Sequence, residues 1–139
     1  LLWAQISQII TAEPPSKLTV AAGQPAVAKL RFNLASGYHT NSNTPSDDYL
    51  IPLRLTWEAA PVEVSAVEYP KGHLEKYSFS EKPLSVYTGD FEIVTRFQVP
   101  AGTPKGPRTL TGKLRYQACT DSTCYPPKTL TVKLPVEIR

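Results

Sequence analysis

The chain has two cysteines, Cys119 and Cys124, both in the stretch RYQACTDSTCYPP (115–127). Four residues, TDST, separate them. Thiols this close can cross-link the fold, bind a metal, or exchange electrons with another dithiol through a mixed disulfide. As a cross-link the pair is modest. So small a loop contributes roughly 2 kcal/mol in the chain-entropy description, against about 4.7 kcal/mol for a loop of 100 residues. As a metal site it would need His39 and His73, which lie far off in sequence and lack ligand spacing. No metal and no cofactor is therefore expected. An inert local clip and an exchanging pair remain as the two readings.

Thiol exchange depends on the thiolate fraction and on access. The surrounding sequence is not helical, so no helix dipole lowers a thiol pKa here. Arg115 and Lys128 would favour a thiolate and Asp121 would oppose it. Access, more than charge, is expected to govern reactivity.

The elements that must position the pair are strands. Residues 110–118 and 128–138 alternate apolar and polar side chains and pair naturally as a hairpin, with Cys119 facing Cys124 across the TDST turn. Directly opposed antiparallel residues sit about 4.5–5.5 Å apart at Cα, inside the roughly 4.4–6.8 Å that a disulfide accepts. Strict register, however, would set Arg115 against Lys128 and Leu114 against Thr129. The apolar residues of the two strands would then face opposite sides of the sheet. One extra residue must be absorbed, and the Pro126–Pro127 step is predicted to hold the bulge or break, because proline cannot donate to a ladder. Both sulfurs should then lie at a sheet end, presented to a partner.

The rest of the chain repeats the alternation. AVAKLRFNL points Ala26, Ala28, Leu30, Phe32 and Leu34 one way, and YLIPLRLTW does so with Tyr49, Ile51, Leu53, Leu55 and Trp57. DFEIVTRFQV contributes Phe91, Ile93, Phe97 and Val99; TLTVKLPVEI contributes Leu130, Val132, Leu134, Val136 and Ile138. Shorter candidates are 17–20, 62–67 and 84–87. Eight or so such strands, broken by Pro, Gly, Asn and Asp and with 14 prolines overall, predict an all-β fold. The expected architecture is a single-domain antiparallel β-sandwich of immunoglobulin type. Two long connections, 36–48 and 69–83, stand out as functional or mobile.

Composition narrows the function classes. With 41% apolar and 19% charged residues the chain is globular, and its net charge of +3 is interspersed rather than gathered into a basic stripe. Nucleic acid is not an expected partner. No apolar stretch approaches the roughly 20 residues that cross a bilayer as a helix. No G-x-S-x-G, H-E-x-x-H or phosphate-loop motif is present. The chain contains no Met, so residues 1–14 are read as an N-terminal arm or a processed leader remnant, or as a boundary inside a larger protein. Residues 15–139 are read as the domain proper.

YQACTDSTCYPP resembles the Y-Q-x-C…C-x-P-P motif of the N-terminal periplasmic domain of DsbD, the membrane thiol:disulfide interchange protein family. GYHTNSNTP (37–45) and FSEKPLSVYTGDF (79–91) also look like segments of that family, and the resemblance runs from about residue 15 to the end. It implies a periplasmic immunoglobulin-like domain, in the full-length protein joined to a membrane-embedded one. Its pair Cys119 and Cys124 would take electrons from a thioredoxin-like domain. It would pass them to oxidised partners such as disulfide isomerases and cytochrome c maturation thioredoxins, which makes the domain a protein-disulfide reductase. Cys124 is assigned the resolving role, although nothing local in the sequence separates the two sulfurs.

The resemblance also implies a cap loop over the cysteines. The matching stretch is EKYSFSEKP (75–83), with Phe79 the first choice for the shielding ring, Tyr77 the second, and Glu75 beside them. The chain departs from the family in a shorter gap between its cysteines and in lacking carboxylates directly beside the cap aromatic. Tyr38 and His39 fall where the family has a tyrosine pair. With the motif residues Gln117, Tyr125 and Pro126, they are expected to surround the active pair. The competing reading is a non-catalytic interaction module with a structural disulfide.

Overall fold

The computed structural model describes residues 9–139, and within them all regular structure is strand. The leader reading of residues 1–8 lies outside the described residues. The strands are β1 (Ile10–Ala12), β2 (Leu18–Val20), β3 (Pro25–Leu34), β4 (His39–Asn41), β5 (Arg54–Glu58), β6 (Glu63–Glu68), β7 (His73–Glu75), β8 (Leu84–Tyr87), β9 (Asp90–Gln98), β10 (Gly106–Tyr116), β11 (Ala118–Cys119) and β12 (Lys128–Ile138).

They form three sheets, ordered β1-β3-β9-β6, β2-β12-β10-β5 and β11-β4-β8-β7. The first two face each other as a sandwich. In β3 the burial alternates strictly, with Ala26, Ala28, Leu30, Phe32 and Leu34 inside, and β9 does the same with Phe91, Ile93 and Phe97. These meet Leu55, Leu110, Leu114, Val132, Leu134 and Val136 of the opposing sheet. Trp57 on β5 crosses the core: its Nε1 donates to Thr95 Oγ1 on β9 at 3.0 Å, and its ring packs edge-on to Phe97 at 5.2 Å. A fully buried threonine hydroxyl and the indole N–H of a partly buried tryptophan thus satisfy each other.

The sandwich expectation holds, with three differences. The pairing of β2 with β12 is parallel (Val136↔Leu18), so the sheets are not uniformly antiparallel. The strand expected from Tyr49 begins only at Arg54, after Pro52, which leaves Tyr49 exposed in the preceding loop. Finally, neither long connection is free of structure. The first holds β4 and the second β7, and these flank β8 to build the third sheet.

That third sheet is assembled from continuations of the other two. The β3–β9 ladder ends at Asn33↔Asp90, and the same two chains pair again as β4–β8 from Thr40↔Tyr87. The outer chain loops out between, through Gly37 at φ +86°, while the inner one turns at Gly89 at φ +65°; both conformations favour glycine. From the other side, β10 leaves its sheet after Tyr116 and continues as β11, pairing Ala118↔Thr40 and Cys119↔His39. Strand ends of both layers of the sandwich therefore converge on one small sheet, and the cysteines sit in it.

Candidate functional site: a disulfide at the end of the sandwich

Cys119 and Cys124 are joined in a disulfide, with Cα atoms 4.0 Å apart. The long hairpin runs in register from Gly106↔Ile138 to Tyr116↔Lys128, with Leu114 opposite Leu130 and Arg115 opposite Thr129. Beyond it the cysteines pair as an isolated bridge, one position out of that register. Gln117 and Ala118 on one side thus face Tyr125, Pro126 and Pro127 on the other, and the extra residue is absorbed at the prolines as expected. Gln117 Nε2 donates to the Tyr125 carbonyl at 3.1 Å, and Tyr125 N donates to the Ala118 carbonyl at 2.9 Å. The turn is closed by Thr120, whose N–H reaches the Thr123 carbonyl at 2.7 Å and whose Oγ1 accepts from Ser122 N and Thr123 N.

The two sulfur-bearing residues differ in access. Cys119 is 4% exposed, while Cys124 is on the surface. This corrects the expectation that a broken ladder presents both. The break does end the hairpin, but β11 then docks on β4 and is buried beneath the surrounding loops.

Across β4 from Cys119 stands His39, itself 3% exposed. Directly opposed residues in adjacent strands project to the same face of a sheet. His39, Cys119 and Cys124 therefore form one row, running from a buried histidine through a buried cysteine to an exposed one.

The second long connection packs against the His39 end of this row. Tyr77 stacks on the His39 ring with centroids 4.0 Å apart and planes at 14°. Phe79 lies 5.4 Å from Tyr77 and 6.3 Å from His39, nearly parallel to both. Tyr77 is half-buried and Phe79 is 46% exposed. Ser78 Oγ donates to the Asp121 carbonyl at 3.4 Å, which ties the loop to the disulfide turn. Lys76 Nζ donates to the carbonyls of Tyr77 and Ser80, and Ser80 N donates to the Tyr77 carbonyl at 3.1 Å. Glu75 ends β7 with Oε1 3.5 Å from His73 Nε2. On the far side Tyr38 approaches Tyr125, with ring centroids 6.2 Å apart, and Pro126 is exposed.

Burial pushes the His39 imidazole below its ordinary pKa, against the upward pull of Asp121 and Glu75 and with a further downward push from His73. Burial, with Glu75 and Asp121 nearby, raises the Tyr77 phenol to about 12. A cleft of about 420 Å³ opens beside the row where the β3–β9 ladder splits, lined by Gly37, Tyr38, His39, Tyr77, Gly89 and Asp121 among others. The sulfurs are bonded to each other, and among the described residues no three His, Cys, Asp or Glu side chains gather as a metal site.

The structure thus brings together Cys119, Cys124, His39, Tyr77 and Phe79, with Glu75, Tyr38, Gln117 and Tyr125 at the margins. Sequence reasoning missed Tyr87. Its hydroxyl donates to Asn43 Oδ1 at 2.8 Å or to the Pro70 carbonyl at 2.7 Å, so one phenol holds both long connections. The available signal was a lone tyrosine ending an otherwise short apolar strand.

Among solved structures, the N-terminal periplasmic domain of ScsB from Proteus mirabilis is similar with a TM-score of 0.59. It is 15% identical over 90% of this chain and 44% of that one, so the present chain spans less than half of it. The seventh ScaB type I cohesin from Pseudobacteroides cellulosolvens has a TM-score of 0.51, at 15% identity over 94% and 92% of the two chains. At these identities the likeness is one of fold, an immunoglobulin-like sandwich. No curated protein matches the chain in sequence. The model of a family described as "Thiol:disulfide interchange protein DsbD, N-terminal" matches residues 7–135.

Proposed function

This chain belongs to the family of the N-terminal domain of the thiol:disulfide interchange protein DsbD, and on that premise we propose how its Cys119–Cys124 pair works. The domain is a periplasmic protein-disulfide reductase. It accepts reducing equivalents from a thioredoxin-like domain and hands them to oxidised extracytoplasmic proteins, disulfide isomerases and cytochrome c maturation thioredoxins among them.

The unequal burial of the bonded pair carries the mechanism. A donor thiolate can approach Cys124, which is exposed, whereas Cys119 lies beneath the surface. Attack on Cys124 Sγ breaks the internal bond and expels Cys119 as the leaving sulfur. In the next half-cycle the reduced Cys124 attacks the disulfide of an acceptor, and Cys119 resolves the mixed disulfide. This reverses the assignment expected from sequence, where Cys124 was the resolving sulfur. The stack of Tyr77 and Phe79 on His39 is the shield, and it must swing aside to admit a partner's surface.

Trapping tests this. The Cys119→Ser variant should hold a thioredoxin-like protein as a stable mixed disulfide through Cys124, and Cys124→Ser should capture little. Capture by Cys124→Ser alone would invert the roles. Capture of nothing thioredoxin-like by either variant, with a bond that resists reduction in the folded domain, would leave the structural-clip reading in its place.

A further inference from the structure

Resting on the exchange reading above, we propose that His39 is the proton acceptor and donor for Cys119. The argument starts from burial. When the internal bond opens, Cys119 Sγ leaves as a thiolate in a position only 4% exposed. An unpaired charge there is costly, and water is poorly placed to supply the proton. One neighbour in the row is the other sulfur. The neighbour on the opposite side is His39, in direct register on β4. Opposed side chains of this kind have Cβ atoms about 4.5–5.5 Å apart, within reach of an imidazole and a thiol.

The surroundings suit a base. Four ionisable groups bear on His39: Asp121 from the disulfide turn, Glu75 and His73 from β7, and Tyr77 from the cap. Burial outweighs the two carboxylates and keeps the imidazole neutral at neutral pH. Tyr77, held protonated up to about 12, cannot serve instead. His39 also lines the 420 Å³ cleft, which gives its proton a way out to solvent.

The step balances as follows. In the resolving direction the Cys119 S–H bond breaks, the proton passes to the imidazole, and Cys119 Sγ bonds to Cys124 Sγ. The bond between Cys124 and the acceptor breaks, and the acceptor sulfur departs with the electron pair. Two electrons have then moved from the domain dithiol to the acceptor disulfide. In the loading direction a donor thiolate attacks Cys124, Cys119 leaves as a thiolate with the bond's electron pair, and His39, taking a proton from solvent through the cleft, passes it to that sulfur.

The aromatic disulfide dithiobis(nitrobenzoate) separates the two sulfurs. Reduced domain should release one thionitrobenzoate when Cys124 attacks and a second when Cys119 resolves. The rate of the second release should follow the titration of the His39 ring, with its inflection at the midpoint found for that ring by NMR. In His39→Phe, which keeps a ring under Tyr77, the second release should slow by about 100-fold or more at neutral pH and lose that inflection. A wild-type profile without the inflection overturns the proposal, and this arm does not depend on the variant folding. A folded His39→Phe with an unchanged second phase overturns it too. If the wild-type domain gives no second release at all, the exchange reading fails first, and the proposal falls with it.

Discussion

The Tyr77 ring lies on the His39 imidazole, centroids 4.0 Å apart and planes at 14°. His39 is in turn the cross-strand partner of Cys119. Through this contact a loop that is distant in sequence packs on the residue beside the buried cysteine. The same loop is held from below by Ser78 on the Asp121 carbonyl. On the proposed reading, a partner's surface displaces this end of the loop by replacing one ring stack and one hydrogen bond, while Lys82–Asp47 and Ser46–Pro83 contacts tether its other end.

Removing the stack should unmask the pair. A stacked aromatic contact is worth about 0.5–1.5 kcal/mol, so Tyr77→Ala should shift the opening of the loop by about 2- to 12-fold. Reduction of the disulfide by dithiothreitol should speed up by that factor. Phe79→Ala, which removes the more exposed ring, should give a smaller gain. Equal rates in wild type and Tyr77→Ala would show that the loop does not limit access.

Tyr87→Phe tests the clamp on the two long connections. Loss of the hydroxyl leaves Asn43 Oδ1 and the Pro70 carbonyl without their partner, a penalty of about 1–3 kcal/mol. Urea unfolding should report that loss. Hydrogen exchange should quicken at β4 and β7 while β10 and β12 keep their protection. Uniform quickening across the domain would count against a local clamp.

The disulfide itself should matter little to the fold. Closing so short a loop contributes roughly 2 kcal/mol, and neither cysteine belongs to the two core clusters of the sandwich. The reduced domain should therefore stay folded, with an unfolding free energy lower by about 2 kcal/mol or less. Unfolding on reduction would mean that the bond is a staple.

Acid should weaken the domain through His39. Its folded pKa lies below the ordinary 6.5, so as pH falls the unfolded chain takes up the proton first. Stability present above 6.5 is lost as pH drops through 6.5 towards the folded value, and the loss levels off below it. Thermal midpoints measured from about pH 7.5 down to about pH 5 should fall further for wild type than for His39→Phe. Parallel curves would sink this expectation.

Much of this was legible because alternation is a strong signal. Leu30, Phe32, Ile93 and Leu114 announce their strands by period alone. The proline bulge was legible too, since only one register satisfies both apolar faces of the hairpin. The third sheet was not. His39–Asn41 and His73–Glu75 are three-residue strands without alternation, and they exist because β8 offers an edge on each side. The burial of Cys119 followed the same blind spot, for it depends on β4 being there to receive β11. Tertiary context decided what local pattern could not.

The extra residue at Tyr125–Pro126–Pro127 has a consequence for signalling. No continuous ladder crosses it, so a change in spacing between the sulfurs is expected to be absorbed at the prolines, with the Tyr116↔Lys128 pair and all beyond it unaltered. The far end of the molecule then carries no news of whether the bond is open. A partner that must tell a charged carrier from a spent one has to read that difference at the sulfurs and the rings above them.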